Sequence, residues 1–294
     1  VRVLIFGAKG QLGIDLMQCA PAHGVQALGV DLPECNITSK ADVHRALGDA
    51  GPVDLAINAA AYTAVDQAES RAETAFAVNR DGAGNLAQAC RQHDIPLIHI
   101  STDYVFEGLL TRPLRPDDAV SAQGIYARSK AAGEDAVRMG LERHLIVRTS
   151  WLYGRFGGNF VKTMLRLGRE KKTIRVVDDQ VGSPTYASDL AGALFEMAAR
   201  LTSDFSQWGT YHYCNRGALT WYAFARKIFA LARSQEELAV EEVVPILTAH
   251  YPTPAPRPHY SVLDCSSLDT TFGITRRHWD AALKEMIGHL YSKQ

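Results

Sequence analysis

The chain has 294 residues, 47% of them hydrophobic and 21% charged, with a formal charge of −1. That length can bury one large core or two smaller ones, and the near-neutral, evenly mixed charge excludes the broad basic surface that nucleic acid or an anionic membrane requires. No run reaches the roughly 18 apolar residues of a membrane span. The first apolar stretch meets glycine too soon for a signal segment, and the five cysteines have neither CxxC nor zinc-ligand spacing, so a reduced, cytoplasmic protein is expected.

Residues 3–6 form a short apolar run broken by Gly7; a helical pattern follows from Gln11, and residues 25–30 supply a second strand ending at Asp31. The turn between them, Gly7-Ala8-Lys9-Gly10-Gln11-Leu12-Gly13, offers permissive backbone, close approach to a phosphate and room against a sheet. Free N–H groups there are expected to take the pyrophosphate of a dinucleotide. Asp31, 18 residues past Gly13, is placed for an adenosine ribose diol and so favours NADH. Lys9 inside the turn would meet a 2′-phosphate and favours NADPH, which leaves both cofactors open.

Residues 53–57 and 96–100 repeat the apolar strand, with helical stretches near 41–48 and 68–92; after a helix around 123–139, residues 145–149 give one more strand. Crossovers this long predict parallel pairing, and near-continuous apolar strands suit a sheet covered on both faces. The fold class expected is α/β, a Rossmann-like doubly wound parallel sheet, with functional residues at the strand C-termini. Small residues follow the third strand in Asn58-Ala59-Ala60-Ala61-Tyr62, where a dinucleotide would lie across the sheet edge. Asn79 faces the same area as a cofactor contact or a buried structural amide.

The second half is less regular: a helix over 159–168, a strand-like run at 173–177, a turn at 181–185, a helix over 189–199 and a return to the main sheet near 211–214. Helical periodicity resumes over 220–231, and four prolines make 251–258 a rigid extended wall. The expected organisation is a dinucleotide-binding domain at 1–150, rejoined by about 186–215, and a smaller mixed α/β substrate domain over most of 151–294.

A ketone accepting hydride needs a proton donor and an oxyanion partner. Tyr126 and Lys130 are four apart and share one helix face, and Thr102 ends the preceding strand. Tyr126 is the expected acid, with a nearby Lys130 ammonium lowering its pKa and binding the nicotinamide ribose, and Thr102 the partner of the carbonyl oxygen. The scheme needs no metal, and His99, inside an apolar strand, reads as a core histidine.

Ser101-Thr102-Asp103-Tyr104-Val105-Phe106, Arg148-Thr149-Ser150-Trp151-Leu152-Tyr153-Gly154 and Asp179-Gln180-Val181-Gly182-Ser183-Pro184-Thr185, added to the glycine turn and the Tyr126/Lys130 stretch, resemble the extended short-chain dehydrogenase/reductase superfamily over nearly the whole chain. Within it the chain is similar to the nucleotide-sugar reductases that convert dTDP-4-dehydro-beta-L-rhamnose to dTDP-beta-L-rhamnose with NADPH or NADH. The resemblance implies that Thr63, Val65, Asp103 and Trp151 surround the deoxyhexose. Arg257 is then the expected diphosphate partner in the second domain, and Asn159 a further polar contact. A monomer or a homodimer is expected. Some relatives of this kind carry acidic residues at a magnesium-linked interface, but Asp15 reads as a solvated helix acid. Ala127 stands where such chains usually have glycine, which alters loop packing and spares the proton-transfer pair. Another nucleotide-sugar reductase or a 4-epimerase, or a non-catalytic regulatory subunit on the same scaffold, remains the alternative reading.

Overall fold

A computed structural model describes residues 1–292. The first half alternates strand and helix: β1 (Arg2–Phe6), α1 (Gln11–Cys19), β2 (Gln26–Val30), α2 (Lys40–Ala50), β3 (Leu55–Asn58), then short α3 (Val65–Ala68) and α4 (Ala72–Phe76). A π-helical segment, Ala77–Gly82, leads into α5 (Ala83–Gln92), followed by β4 (Leu97–Thr102), α6 (Gly124–Gly140) and β5 (His144–Thr149). The second half contains β6 (Leu152–Tyr153), α7 (Phe160–Glu170), β7 (Thr173–Val177), β8 (Val181–Gly182), β9 (Thr185–Tyr186), α8 (Ala187–Ala198) and β10 (Gly209–His212). It closes with β11 (Leu219–Thr220), α9 (Trp221–Ala232), β12 (Glu242–Ile246), α10 (Ser266–Phe272) and α11 (Trp279–Tyr291).

Six strands form one sheet in the order β10-β5-β4-β3-β1-β2, every pairing parallel. The apolar runs explain it: Val3 and Ile5 point into a core built with α1 and α8, while Leu4 and Phe6 point into a second core built with α2, α5 and α6. Both faces are covered, as the near-continuous apolar strands require. The order reverses at β1, so the crevice for a ligand lies between the ends of β1 and β3, where the glycine turn and the Ala59–Ala61 stretch begin. A third core gathers α7, α9 and α11 around Tyr153 and Tyr186, beside the parallel pair β7 and β12.

Two expectations needed correction. The single helix over 68–92 is broken near Ser70–Arg71 and again by the π segment, a wider turn often found at functional positions. The turn at 181–185 instead contributes two short strands, β8 antiparallel to β11 and β9 parallel to β6.

Candidate active site

The cofactor side is built by glycine geometry. Gly7 has φ +82°, and a Cβ there would lie 2.5 Å from the Ala60 nitrogen; one on Gly13 would lie 2.0 Å from the Gly7 carbonyl oxygen. Only bare backbone allows the β1 turn to close this tightly against the chain leaving β3. Gly10 precedes α1 with no side-chain cap, so the first N–H groups of that helix are free for an anion. A cavity of about 560 Å³ opens there, lined by Gly7, Lys9, Gly10, Asp31, Ala59, Ala60, Ala61 and Tyr62 among others. These residues fit a dinucleotide: a bare-backbone cradle at one end and a carboxylate at the ribose end.

Other residues expected on this side do structural work. The Leu12 side chain is buried in the core beneath the turn. Gln11 Oε1 accepts from Asn159 Nδ2 at 3.0 Å. Asn79 is buried; its Oδ1 accepts from Tyr62 N at 2.8 Å, and its Nδ2 donates to Tyr62 O at 3.1 Å and to Ser129 Oγ at 2.9 Å. Asn79 therefore fixes the Tyr62 wall of the cavity to α6. Asn58 braces the same wall through Ala60 N and pairs with His99 Nδ1 at 3.0 Å. Burial holds His99 well below the ordinary histidine range, so it stays neutral.

At the end of β4, Thr102 Oγ1 donates to Asp103 Oδ1 at 3.0 Å and accepts from Tyr104 N at 3.2 Å. Tyr126 meets Tyr104 edge-on, ring centroids 5.6 Å apart. Lys130, one turn further along α6, donates to the Ile100 carbonyl at 2.6 Å. The expected depression of Tyr126 by Lys130 is not what this arrangement produces. Burial pushes the phenol up to about 12 while the Thr102 hydroxyl pulls it back, and burial drags Lys130 down to about 8 against the pull of Glu134. Burial dominates at the phenol, and Lys130 directs a hydrogen to a backbone oxygen, so Tyr126 keeps the proton that a general acid must donate. Asp103 is buried, and burial pushes its carboxyl up to about 6 against the hydroxyls of Ser261 and Thr102.

A second cavity, about 600 Å³, lies beside Tyr104 and is lined by Asp66, Phe160, Met164, Gln180, Trp221 and Arg257. Arg257 reaches it but is already paired, Nη2 donating to both Asp66 carboxylate oxygens at 2.9 Å, and its guanidinium lies 5.8 Å from the Tyr104 ring centroid. Thr63 is exposed before α3 and Val65 half-buried at its start. Trp151, at φ 47°, stacks on Trp221 with centroids 3.5 Å apart. Asn159 caps α7 by accepting from Lys162 N at 3.1 Å and donates to Gly154 O at 2.8 Å, so its polar groups are spent away from this cavity. Asp15 is buried at 4% exposure, not solvated, and burial pushes its carboxyl up to about 6 against the charge of Arg155. Among the described residues no group of three His, Cys, Asp or Glu side chains is arranged to hold a metal ion.

Sequence reasoning missed Tyr104, Asp66, Phe160 and Trp221 as cavity walls, and Glu134 beside the Tyr/Lys pair. Only Glu134 had a local signal, the same four-residue spacing that relates Tyr126 to Lys130.

The model of the RmlD substrate binding domain matches residues 1–292. A dTDP-4-dehydrorhamnose reductase of Aggregatibacter actinomycetemcomitans is 40% identical over 288 residues, 97% of this chain and 98% of that protein. Among solved structures, a dTDP-4-dehydrorhamnose reductase from Clostridium acetobutylicum superposes with a TM-score of 0.92 at 37% identity, covering 99% of this chain and all of the other. One from Bacillus anthracis, in complex with NADP, gives 0.91 at 37% identity over 98% and 99%.

Proposed function

The chain belongs to the RmlD substrate binding domain family, and from that membership we propose that it reduces the 4-keto group of dTDP-4-dehydro-beta-L-rhamnose, giving dTDP-beta-L-rhamnose. What supports the chemistry is that Tyr126 lies against the Thr102 hydroxyl with Lys130 one turn along α6, and that Tyr126 packs on Tyr104, which lines a cavity of about 600 Å³.

When bound, NADH or NADPH supplies the hydride. Thr102 turns its one hydroxyl proton from Asp103 to the keto oxygen and holds that oxygen beside Tyr126. The oxygen gains negative charge as the carbon is reduced, and Tyr126 transfers its phenolic proton to that oxygen, so ketone plus hydride plus proton gives the alcohol. Lys130 binds the nicotinamide ribose, and as an ammonium it stabilises the tyrosinate left behind until water restores the proton. Thr63, Val65, Asp103 and Trp151 shape the sugar end. The diphosphate reaches Arg257 by competing with Asp66 for the guanidinium. The enzyme acts on this reading as a cytosolic monomer or homodimer.

The test is oxidation of NADH and of NADPH, followed by absorbance, with the keto sugar nucleotide generated in a coupled reaction. Tyr126→Phe should cut turnover by about 10²-fold or more and leave cofactor affinity nearly unchanged. Near-normal turnover in that variant removes Tyr126 from its role. No oxidation by the folded wild-type protein with either cofactor moves the assignment to a 4-epimerase, which retains its cofactor, or to a non-catalytic subunit.

A further inference from the structure

α6 presents a third ionisable group in register with Tyr126 and Lys130. Glu134, four residues beyond Lys130, is 0% exposed, yet its carboxylate is fully coordinated. Ser101 Oγ donates to Oε1 at 2.6 Å and Arg148 Nε to the same oxygen at 2.8 Å. Arg148 Nη2 and Arg138 Nη2 each donate to Oε2 at 2.7 Å. Arg148, 1% exposed, is held in turn by Pro116 O at 3.2 Å and lies 4.9 Å from the centroid of the Phe106 ring. A buried ion pair of this kind stabilises no better than apolar side chains of the same volume, so stability alone does not account for it.

The partners on β4 account for it better. Lys130 bonds Ile100, Glu134 bonds Ser101 and Tyr126 lies beside Thr102, so three residues one helical turn apart hang on three successive residues of one strand. A shift of α6 along β4 breaks all three contacts together. We infer that Glu134 is a positioning residue of the reduction: with Arg148 it locks α6 onto β4 and β5, and its charge, one turn from Lys130, keeps that buried lysine an ammonium. The inference rests on the proposed roles of Tyr126 and Lys130.

Among the described residues no other group around Lys130 can supply that charge. His99 on β4 is held neutral by burial, and Tyr126 on α6 is protonated. Arg138 on α6 and Arg148 on β5 are cations bound to Glu134. Asp103 lies beyond Thr102 and takes its hydroxyl, while Arg80 and Asp81, on the π segment packed against α6, are exposed and paired with each other. Glu134 is thus the anion that offsets the cost of burying the ammonium.

The experiment compares the pH profiles of kcat for wild type, Glu134→Gln, Glu134→Asp and Arg148→Met, alongside side-chain amine NMR titration of Lys130 in the free enzyme. Glu134→Gln should move the alkaline limb and the Lys130 titration toward acid by about one pH unit, a tenfold change in the protonation equilibrium. Glu134→Asp keeps the charge and should keep the limb near its wild-type place with a lower kcat. Arg148→Met keeps the carboxylate and should not move the limb toward acid. If the lone Gln variant does not fold, the double variant Glu134→Gln/Arg148→Met, which removes both buried charges at once, carries the same expectation. An unmoved limb and NMR midpoint in the Gln variants, or identical profiles for Glu134→Gln and Arg148→Met, overturns the inference. Wild type inactive toward the keto sugar would instead refute the proposed reaction, while the NMR titration still reports on Glu134 and Lys130.

Discussion

Lys9 and Asp31, which pull the cofactor choice in opposite directions when only their types are known, have distinct situations once folded. Lys9 Nζ donates to Glu34 Oε2 and to Leu32 O, both at 2.8 Å, so its charge is met by the loop that follows β2. Asp31 accepts from Lys9 N at 2.8 Å and from Leu32 N at 2.7 Å, which fixes its carboxylate at the ribose end of the cavity. Asp31, Glu34 and Asp42 outnumber Lys9 and Arg45 and leave this corner negative by one charge, and a 2′-phosphate meets repulsion where a ribose diol meets an acceptor. The Lys9–Glu34 pair is exposed and screened, so the preference it sets is modest. NADH should bind several-fold tighter than NADPH, and Glu34→Gln should free Lys9 and narrow or reverse that ratio without changing turnover at saturating NADH. Fluorescence titration with each cofactor checks it; a ratio unchanged in the variant would sink the idea.

At the scale of elements, the contact between α6 and the π segment sets how the two halves of the site meet. A Cβ on Gly133 would lie 2.1 Å from the Asn79 carbonyl oxygen, so α6 approaches this segment at a distance only glycine permits. The same Asn79 holds Tyr62, and so the cofactor wall, through both backbone atoms. Gly133→Ala should push the helix away at a cost of about 1–3 kcal/mol, the usual range for overpacking, and weaken cofactor binding as Tyr62 shifts. Gly288 in α11 makes the control, since a Cβ there would meet nothing within 4 Å: Gly288→Ala should stabilise by up to about 1 kcal/mol. Denaturation midpoints that shift in the same direction for both would reject the argument. The strands and most helices were legible because apolar runs and turn glycines are local patterns, and the placement of Thr102 at the end of β4 and of Tyr126 and Lys130 on α6 was legible because strand end and helix spacing are local too. The π segment was not, since the alanine-rich stretch from 72 to 90 has the same composition in either helix. Nor were Asp66 with Arg257, 191 residues apart, or Lys130 with the Ile100 carbonyl. One pairing is long-range, and the other partner is a backbone oxygen with no residue signature. Burial claims the Leu12 side chain and leaves its first-turn N–H for the phosphate end, and helix capping engages the Asn159 amide.

For the whole molecule, a functional division near residue 150 does not coincide with a division of the core. The face of the sheet carrying Val3, Ile5, Ile57, Ile98, Leu145 and Val147 is covered by Leu190, Leu194 and Phe195 of α8, with Tyr211, Leu268 and Phe272 completing the same cluster. β10 is paired to β5 at the sheet edge, and α8 packs on α1, so the first 150 residues alone leave one apolar face open. At about 25 cal/mol per Å² of apolar surface, that missing cover exceeds the few kcal/mol by which a domain of this size is stable. The chain should therefore unfold as one cooperative unit. All four tryptophans, Trp151, Trp208, Trp221 and Trp279, lie beyond residue 150, so fluorescence reports the second half while far-ultraviolet circular dichroism reports both. The two signals should share one midpoint in urea, and a fragment of residues 1–150 should show no cooperative transition and bind a hydrophobic dye. A fragment that unfolds cooperatively, or a circular dichroism transition separated from the fluorescence one, would mean that the two halves are independent and that α8 and β10 only decorate a finished sheet.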